Sequence, residues 1–533
     1  MKMTKLLALS VLSIAGFAGV SATLWSSDDV LQNYQGTFQC PHSSIVEPST
    51  IEEIQAIVRQ AYETHSKVKV ASRKFKSQFD AACTMEGGTQ ILLTKMNKMI
   101  AVDREKKTAT VQAGMRFDQF NDGINKFGLA VNMVTELGTF TIGGMLGSAT
   151  HGSTLWKPSN TFADYAISMK IVDGKGDVRV LIGEDLNAAR VNLGVLGVVV
   201  EVTFQLENAF KVRAHQIGNS DDSDLENSIL DIARNNYSAN VAWFPANHRY
   251  AMTIYEQVPY DTPGDAHNGQ AEVSDLLEKF YKTLMQAATA LPGHGLLSLA
   301  ARLRYETRVA PYFKDNNGKV VKENPIGYSY RMQYFDCKGE SCIWDRVPIQ
   351  LQEIAIPLEE LPNWIADARK LVKKTPAYFP LNGIYFRFGK ASSSYIGMNA
   401  GRDTAYVGIE FPLNDRGLKT PKDYSVNQEL EQMTVQKYQG RPHWGKNTIA
   451  AFHNVSSSYP RWNDFVAFKK VVDPGDVFVN EFWLRVNNEI PKSAFYHDAC
   501  VVSGECYCET DAHCGESKSC QAGPTYTAAK ICM

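Results

Sequence analysis

The chain has 533 residues, 44% of them hydrophobic and 21% charged, with a formal net charge of −2. That length accommodates two or three domains and a sizeable core. No basic run or Lys/Arg-rich segment stands out, so composition argues against nucleic acid and leaves a small acid or a near-neutral substrate.

At the N-terminus, Lys2 and Lys5 precede an apolar run from Leu6 to Val20, and Val20-Ser21-Ala22 offers a small-residue cleavage site. This order predicts a secretory signal peptide over residues 1–22 and hence a secreted, extracellular protein. The rival reading is an uncleaved anchor, the only case in which a membrane partner is expected. Ser49-Thr50-Ile51-Glu52 reads as a capping box opening an amphipathic helix to about Tyr62. Lys67 to Ala71 follows as a buried strand, and Ser72 to Ser77 as the loop after it. Three short strands come next, Ile91–Thr94, Ile100–Asp103 and Thr108–Ala113, then a helix from Phe117 to Phe127 stopped by Gly128.

The stretch Gly138–Thr154, GTFTIGGMLGSATHGST, carries four glycines before His151-Gly152-Ser153. Glycines this dense let backbone N–H groups approach a ring or phosphate that any Cβ would push away. The plain alternative is a tight turn between strands. Beyond it, Ala166–Val172 and Val178–Leu181 flank Asp173-Gly174-Lys175-Gly176, a hairpin signal. A short helix over Asp185–Val191 and the segment Asn192 to Val198 lead into the apolar strand Val199–Leu206. This is an α+β domain ending near residue 210, and no G-x-G-x-x-G follows a strand to make it a Rossmann unit.

In the second half, Pro259–Gly269 reads as a loop, Val273–Leu291 and Leu361–Lys373 as helices, and Gln352–Ile356, Ile384–Phe388 and Tyr406–Phe411 as strands. Ten cysteines suit an exported chain, and six of them (Cys500, Cys506, Cys508, Cys514, Cys520, Cys532) crowd the C-terminus. They predict a disulfide-stapled tail with 15 possible connectivities, and zinc held with His513 is the rival. Staples of that density either stabilise a module with too little core or present a binding face to cell wall or glycan. Asn236-Tyr237-Ser238 and Asn454-Val455-Ser456 are glycan sites if exposed.

With the run Val68–Leu206, the segment Ala189 to Gly197 and Arg441-Pro442-His443-Trp444-Gly445-Lys446, the chain resembles the sugar-lactone oxidases. These are flavoproteins of the vanillyl-alcohol-oxidase, PCMH-type fold that include L-gulono-1,4-lactone and D-arabinono-1,4-lactone oxidases. It is most similar in character to the plant L-gulonolactone oxidase-like proteins, which share secretory signals and a continuation like His151-Gly152-Ser153-Thr154-Leu155-Trp156. The resemblance covers roughly residues 40 to 490. It implies an α+β architecture: a two-subdomain FAD-binding domain over 23–212 behind the signal, an α+β cap or substrate domain over 213–496, and the Cys-rich tail over 497–533.

Carried over, the resemblance places FAD against Gly143, Gly144, Gly147, Ser148, Thr150, His151, Gly152 and Ser153. Ser72, Arg73, Lys74, Phe75, Lys76 and Ser77 supply a second pyrophosphate loop, and Gly194, Gly197 and Val198 the adenine side; a bulged strand is the alternative for the last glycine pair. Many members tether FAD through a histidine of the early loop. Here Lys76 stands there, and lysine cannot form that bond, so FAD is expected to bind tightly without a covalent link. The family's Glu-x-Arg on the substrate strand becomes Tyr385-Phe386-Arg387, which keeps the arginine and loses the acid. Lys446 is expected beside the flavin pyrimidine, with Arg387 and Tyr385 orienting the substrate. His443 is either a proton acceptor or a packed core histidine. The implied reaction is oxidation of a lactone C2 hydroxyl, with dioxygen as acceptor and hydrogen peroxide as product. Another polyol, oligosaccharide or alcohol, a dehydrogenase, or a non-catalytic secreted binding protein stay open as alternatives.

Overall fold

The computed structural model describes residues 31–533 apart from 35, 42, 157–160, 271–282, 285–294, 336–348, 375–379, 381–382, 413–423 and 516. The signal segment, Cys337, Cys342 and nearly all of the helix expected over 273–291 lie outside the described residues. Among the described residues, no helix is long and apolar enough to cross a membrane.

The N-terminal half is built on two sheets. A three-stranded parallel sheet joins Ser44–Val46, Thr89–Leu92 and Val68–Ala71 in that order. The helix Ile51–Thr64 connects its first and last strands; Thr50 caps it by accepting from the Glu53 amide at 3.2 Å, and Glu53 reaches back to the Ser49 amide at 2.7 Å. The reciprocal acid is therefore Glu53, not Glu52. The second sheet is antiparallel and five-stranded, and its hairpin Ala166–Val172/Val178–Leu181 turns at Asp173–Gly176 as the sequence indicates. Both sheets bury their apolar faces in one core with Phe117, Phe120, Phe162 and Phe204. The segment 449–486, counted by sequence with the cap, buries Phe452, Trp462, Phe465 and Trp483 in this same core.

The cap is an eight-stranded antiparallel sheet in the order Ile326–Tyr328, Lys211–Asp221, Arg249–Val258, Ser238–Phe244, Ile384–Gly389, Thr404–Pro412, Ile349–Pro357, Arg441–Pro442. One face packs Ile384, Phe386, Val407 and Ile409 against the helices Leu225–Asn235 and Leu361–Val372. Strand alternation sends Tyr385, Arg387, Tyr406, Gly408 and Glu353 to the other face. The segment after the glycine-rich stretch joins that sheet to the N-terminal half. The Thr154 amide donates to Phe388 O at 2.9 Å, and the Ser153 hydroxyl lies between Ala239 O and the Phe388 amide.

In the tail, Cys500 pairs with Cys506, Cys508 with Cys520 and Cys514 with Cys532, one of the 15 arrangements; Cys40 is bonded to Cys83. The disulfide reading of the tail therefore holds over the zinc one, since all six of its cysteines are in S–S bonds.

Candidate active site

The turn His443 to Asn447 follows the last, short strand of the cap sheet. Trp444 is buried among Phe452, Tyr459 and Trp462, with its indole N–H donating to Ile396 O at 2.8 Å, and this anchors the turn. Asn447 takes a left-handed conformation (φ 76°), which asparagine tolerates better than most residues. Its side chain brackets Glu353: Oδ1 accepts from the Glu353 amide at 2.8 Å and Nδ2 donates to Glu353 O at 3.0 Å. The turn is thereby registered against the strand Ile349–Pro357.

Glu353, 2% exposed, is the centre of the site. Its Oε1 lies 2.8 Å from His151 Nε2, 3.2 Å from Lys446 Nζ and 4.0 Å from His443 Nε2, while Oε2 pairs with Arg387. Arg387 also lies 3.6 Å from Glu136. Burial alone would raise the Glu353 carboxyl, but Arg387, Lys446 and His151 outweigh it and hold it well below the usual range. Burial lowers His443 far below an ordinary imidazole, with Lys446 adding to the effect, and it lowers His151 as well. Both rings are therefore neutral at neutral pH. His443 Nδ1 accepts from the Gly445 amide at 3.0 Å, which places its proton on Nε2. His151 lies flat on the Tyr406 ring, centroids 3.6 Å apart.

Of the residues expected to act on substrate, Lys446, His443 and Arg387 are thus brought together. Tyr385 shares their face but turns to the helix Gly295–Val309, with its hydroxyl 3.5 Å from Arg304 and its ring 5.4 Å from Arg308. The acid missing from Tyr385-Phe386-Arg387 is supplied by Glu353, two strands away across the sheet. The sequence carried one sign of it, an acid at the head of the apolar run Ile354-Ala355-Ile356. Glu136 and Asn447 had no local signal.

The early loop meets this site directly, because the Gln78 amide donates to Gly445 O at 3.2 Å and a Cβ on Gly445 would lie 3.9 Å from Ser77 Cα. Within the loop, Phe75 is buried against Leu31, Cys83 and Leu92, and Lys76 Nζ lies 4.3 Å over the Tyr34 ring. Arg73 pairs with Glu47, Lys74 is exposed, and the Ser77 hydroxyl donates to Phe79 O at 2.9 Å. The Ser72 hydroxyl lies 3.5 Å from that of Thr141, which caps the short helix Ile142–Gly147. Thus the early loop abuts the glycine-rich stretch.

The glycines divide into two kinds. A Cβ on Gly144 would meet only the Thr141 hydroxyl of its own cap, at 3.1 Å, and one on Gly147 only Asn192, at 3.7 Å; Gly144 is exposed and Gly143, Gly147 and Gly194 are half-buried. A Cβ on Gly152 or Gly197, by contrast, would fall 2.6 Å from the backbone oxygen of Val134 or Val172. Those two glycines are needed for chain packing. Ser148 donates to Gly144 O at 2.9 Å, Thr150 is buried, and Val198 begins the strand beside Val172. Gly194 (φ 63°) lies over the buried Lys69, whose amine donates to Leu193 O at 2.8 Å and is pushed by burial down to about 7. Open-faced glycines, hydroxyls and the early loop therefore run continuously from the Gly194 turn to Gly445, a donor-rich, small-residue lining that fits a dinucleotide with a flat ring at the Lys446 end.

This fold and site define a flavin-dependent oxidoreductase. Residues 42–181 match the model of an FAD-binding domain, and residues 202–486, more than half of the chain, match that of the D-arabinono-1,4-lactone oxidases. The chain belongs to the D-arabinono-1,4-lactone oxidase family and is an FAD-dependent oxidase acting on a CH–OH donor. It is 28% identical to L-gulonolactone oxidase 5 of Arabidopsis thaliana, over 94% of this chain and 91% of that protein. It is 26% identical to L-gulonolactone oxidase of Bos taurus, over 85% and 97%. Among solved structures, a solvent-stable cholesterol oxidase superposes with a TM-score of 0.70 at 14% identity, covering 86% of this chain and 97% of that one, a likeness of fold.

Proposed function

We propose that this chain oxidises a CH–OH group of a small neutral sugar 1,4-lactone, of the L-gulono- or D-arabinono-1,4-lactone type, and passes the electrons to dioxygen. The observation that carries this reading is the buried cluster of Glu353, Arg387, Lys446 and His443 on the cap face, directly against the early loop at Gly445. When bound, FAD supplies a two-electron acceptor for the hydride leaving the substrate carbon.

The residues of the chain do the rest. Arg387 is shared between Glu353 and Glu136, whereas Lys446 pairs with Glu353 alone and keeps part of its side chain exposed, so Lys446 is the cation open to a substrate hydroxyl. A cation there favours the alkoxide formed as the hydroxyl proton leaves, whose electrons make the C=O bond as hydride departs. His443 Nε2–H donates to a ring or carbonyl oxygen. Glu353, held far below the ordinary carboxylate range, is a poor proton acceptor at neutral pH, and its role is to fix both cations and His151. The hydroxyl proton passes to solvent water on the side of Lys446, whose side chain is 25% exposed. One C–H and one O–H bond are broken and a C=O bond is made; the product of C2 oxidation enolises to ascorbate or an analogue.

FAD is held non-covalently in this proposal, because Lys76 occupies the position of the tethering histidine. Export through the N-terminal segment agrees with the disulfides, which form and persist in oxidising compartments. Asn454 is exposed and suits glycan attachment, whereas the Asn236 amide donates to Ile232 O at 2.8 Å. The test is to mix the purified flavoprotein with L-gulono- and D-arabinono-1,4-lactone and follow flavin bleaching without oxygen and peroxide with it. Bleaching by an open-chain polyol and by neither lactone would refute the proposal.

A further inference from the structure

The helix Tyr424–Gln432 has the sequence YSVNQELEQ, and its Gln428, Glu429, Glu431 and Gln432 side chains are all buried. Burying four such groups is costly unless each finds a partner. The partners come from the tail. Gln428 accepts from the Cys532 amide at 2.9 Å, Glu429 from the Thr525 and Tyr526 amides, and Gln432 exchanges two hydrogen bonds with Lys530.

Glu431 reaches further. Its Oε1 accepts from the Tyr507 hydroxyl of the tail at 3.0 Å and from the Thr448 hydroxyl at 2.9 Å, and its Oε2 from Gln352 Nε2 at 2.7 Å. Gln352 precedes Glu353, and strand alternation puts the two on opposite faces, so Glu431 grips the back of the strand that carries Glu353 at the front. Thr448 follows Asn447, whose side chain brackets the Glu353 backbone, and stands two residues from Lys446. The Ala450 amide then donates to Gly504 O of the tail at 3.0 Å. Tyr507 sits between Cys506 and Cys508, which belong to different disulfides, so its own backbone is fixed on both sides.

We propose that the stapled tail is a positioning element of the active site: Tyr507 acts through Glu431 to hold the Glu353 strand and the Lys446 turn in register. This rests on the site assigned above, since Tyr507 touches neither substrate nor flavin. It gives the tail a role other than stapling itself or displaying a binding face. Preorganisation of this kind is worth rate, because small displacements of positioning groups are costly in turnover.

The experiment uses the full flavin-loaded chain and the variant Tyr507→Phe, which keeps the ring and every disulfide. Amide hydrogen exchange over residues 349–354 and 443–450 is expected to rise several-fold, while bound flavin is unchanged. With an active lactone, kcat falls about three- to tenfold and KM stays within about twofold. Thr448→Val, on the other side of Glu431, reproduces the pattern. Lys374→Ala, which removes only the contact to Pro524 O at 2.8 Å, lowers the unfolding temperature and leaves exchange at both active-site segments unchanged. Exchange that rises only within the tail, or nowhere, in Tyr507→Phe overturns the proposal. The exchange measurement needs no substrate, so failure of every lactone would count against the functional reading and leave the positioning role of the tail intact.

Discussion

Glu353 and Arg387 form a buried ion pair although their strands are not neighbours. The strand Thr404–Pro412 runs between them, with Gly408 opposite Glu353 on one side and Tyr385 on the other. A Cβ at Gly408 would lie 3.7 Å from Glu353 Oε2 and 3.6 Å from Tyr385 Cβ. The pair therefore depends on a strand position with room for no more than a methyl group.

Gly408→Ala is expected to be tolerated, since both distances are ordinary contacts. Gly408→Leu must displace the Glu353 carboxylate or fill the space before it. A rise of about tenfold or more in KM for the lactone, at normal flavin content, is the expected result; steady-state kinetics on both variants check it.

Removing the carboxylate leaves Arg387 buried with only Glu136, 3.6 Å away, to offset its charge, and takes from His151 Nε2 its partner. Glu353→Ala should lose about 3–5 kcal/mol of stability, the usual cost of breaking a buried pair by deleting one partner. Glu353→Gln keeps the shape and loses the charge, so it should unfold at a higher temperature than Glu353→Ala yet reduce its flavin far more slowly than the parent. Denaturant unfolding and anaerobic stopped-flow reduction read the two effects separately.

Acid precipitation of the holoprotein should leave the flavin in the supernatant, because Lys76 offers no histidyl bond. Gly144→Leu should purify folded and colourless, since its side chain enters the open side of the helix Ile142–Gly147. Yellow, fully loaded Gly144→Leu would count against the proposed lining.

Burial, with Lys492 nearby, pushes His453 down to about 4, and its ring contacts Phe495, Tyr496 and Tyr507 at the root of the tail. A depressed imidazole folds neutral, so its share of stability is whole above the unfolded value near 6.5 and is lost as pH falls from there toward 4. The group is partly exposed, which reduces the loss to about 2 kcal/mol. His453→Phe should flatten the fall in stability between pH 6.5 and 4, and urea titrations across that range test it.

Local signals in the sequence carried the local structure. The Asp173–Gly176 hairpin and the strand Ile384–Gly389 each depend on neighbours in the chain and stand where periodicity and turn residues put them, while the capping box read at Ser49–Glu52 is shifted by one residue to Thr50 and Glu53. The motif at His443 to Lys446 was visible only through the family resemblance, since Lys446 by itself reads as a surface lysine. Glu353 escaped because its meaning comes from cross-strand register, a property of Gly408 and Tyr406 more than fifty residues away. The strand Lys211–Asp221 escaped for a related reason: a register shift between Ile217 and Ser220 breaks its alternation. The polar helix Tyr424–Gln432 has no counterpart in the sequence reading, and only the folded tail explains its burial.

The hydrogen bonds from Ser153 and Thr154 to Ala239 O, Tyr237 O and the Phe388 backbone have a kinetic meaning. They sew the glycine-rich segment onto two central strands of the cap, so the two halves cannot part like a clamshell without tearing main-chain contacts. The catalytic chamber is thus assembled once, at folding, and is not rebuilt at each turnover. What this enzyme accepts is then set by the side chains fixed around Glu353 and not by a hinge.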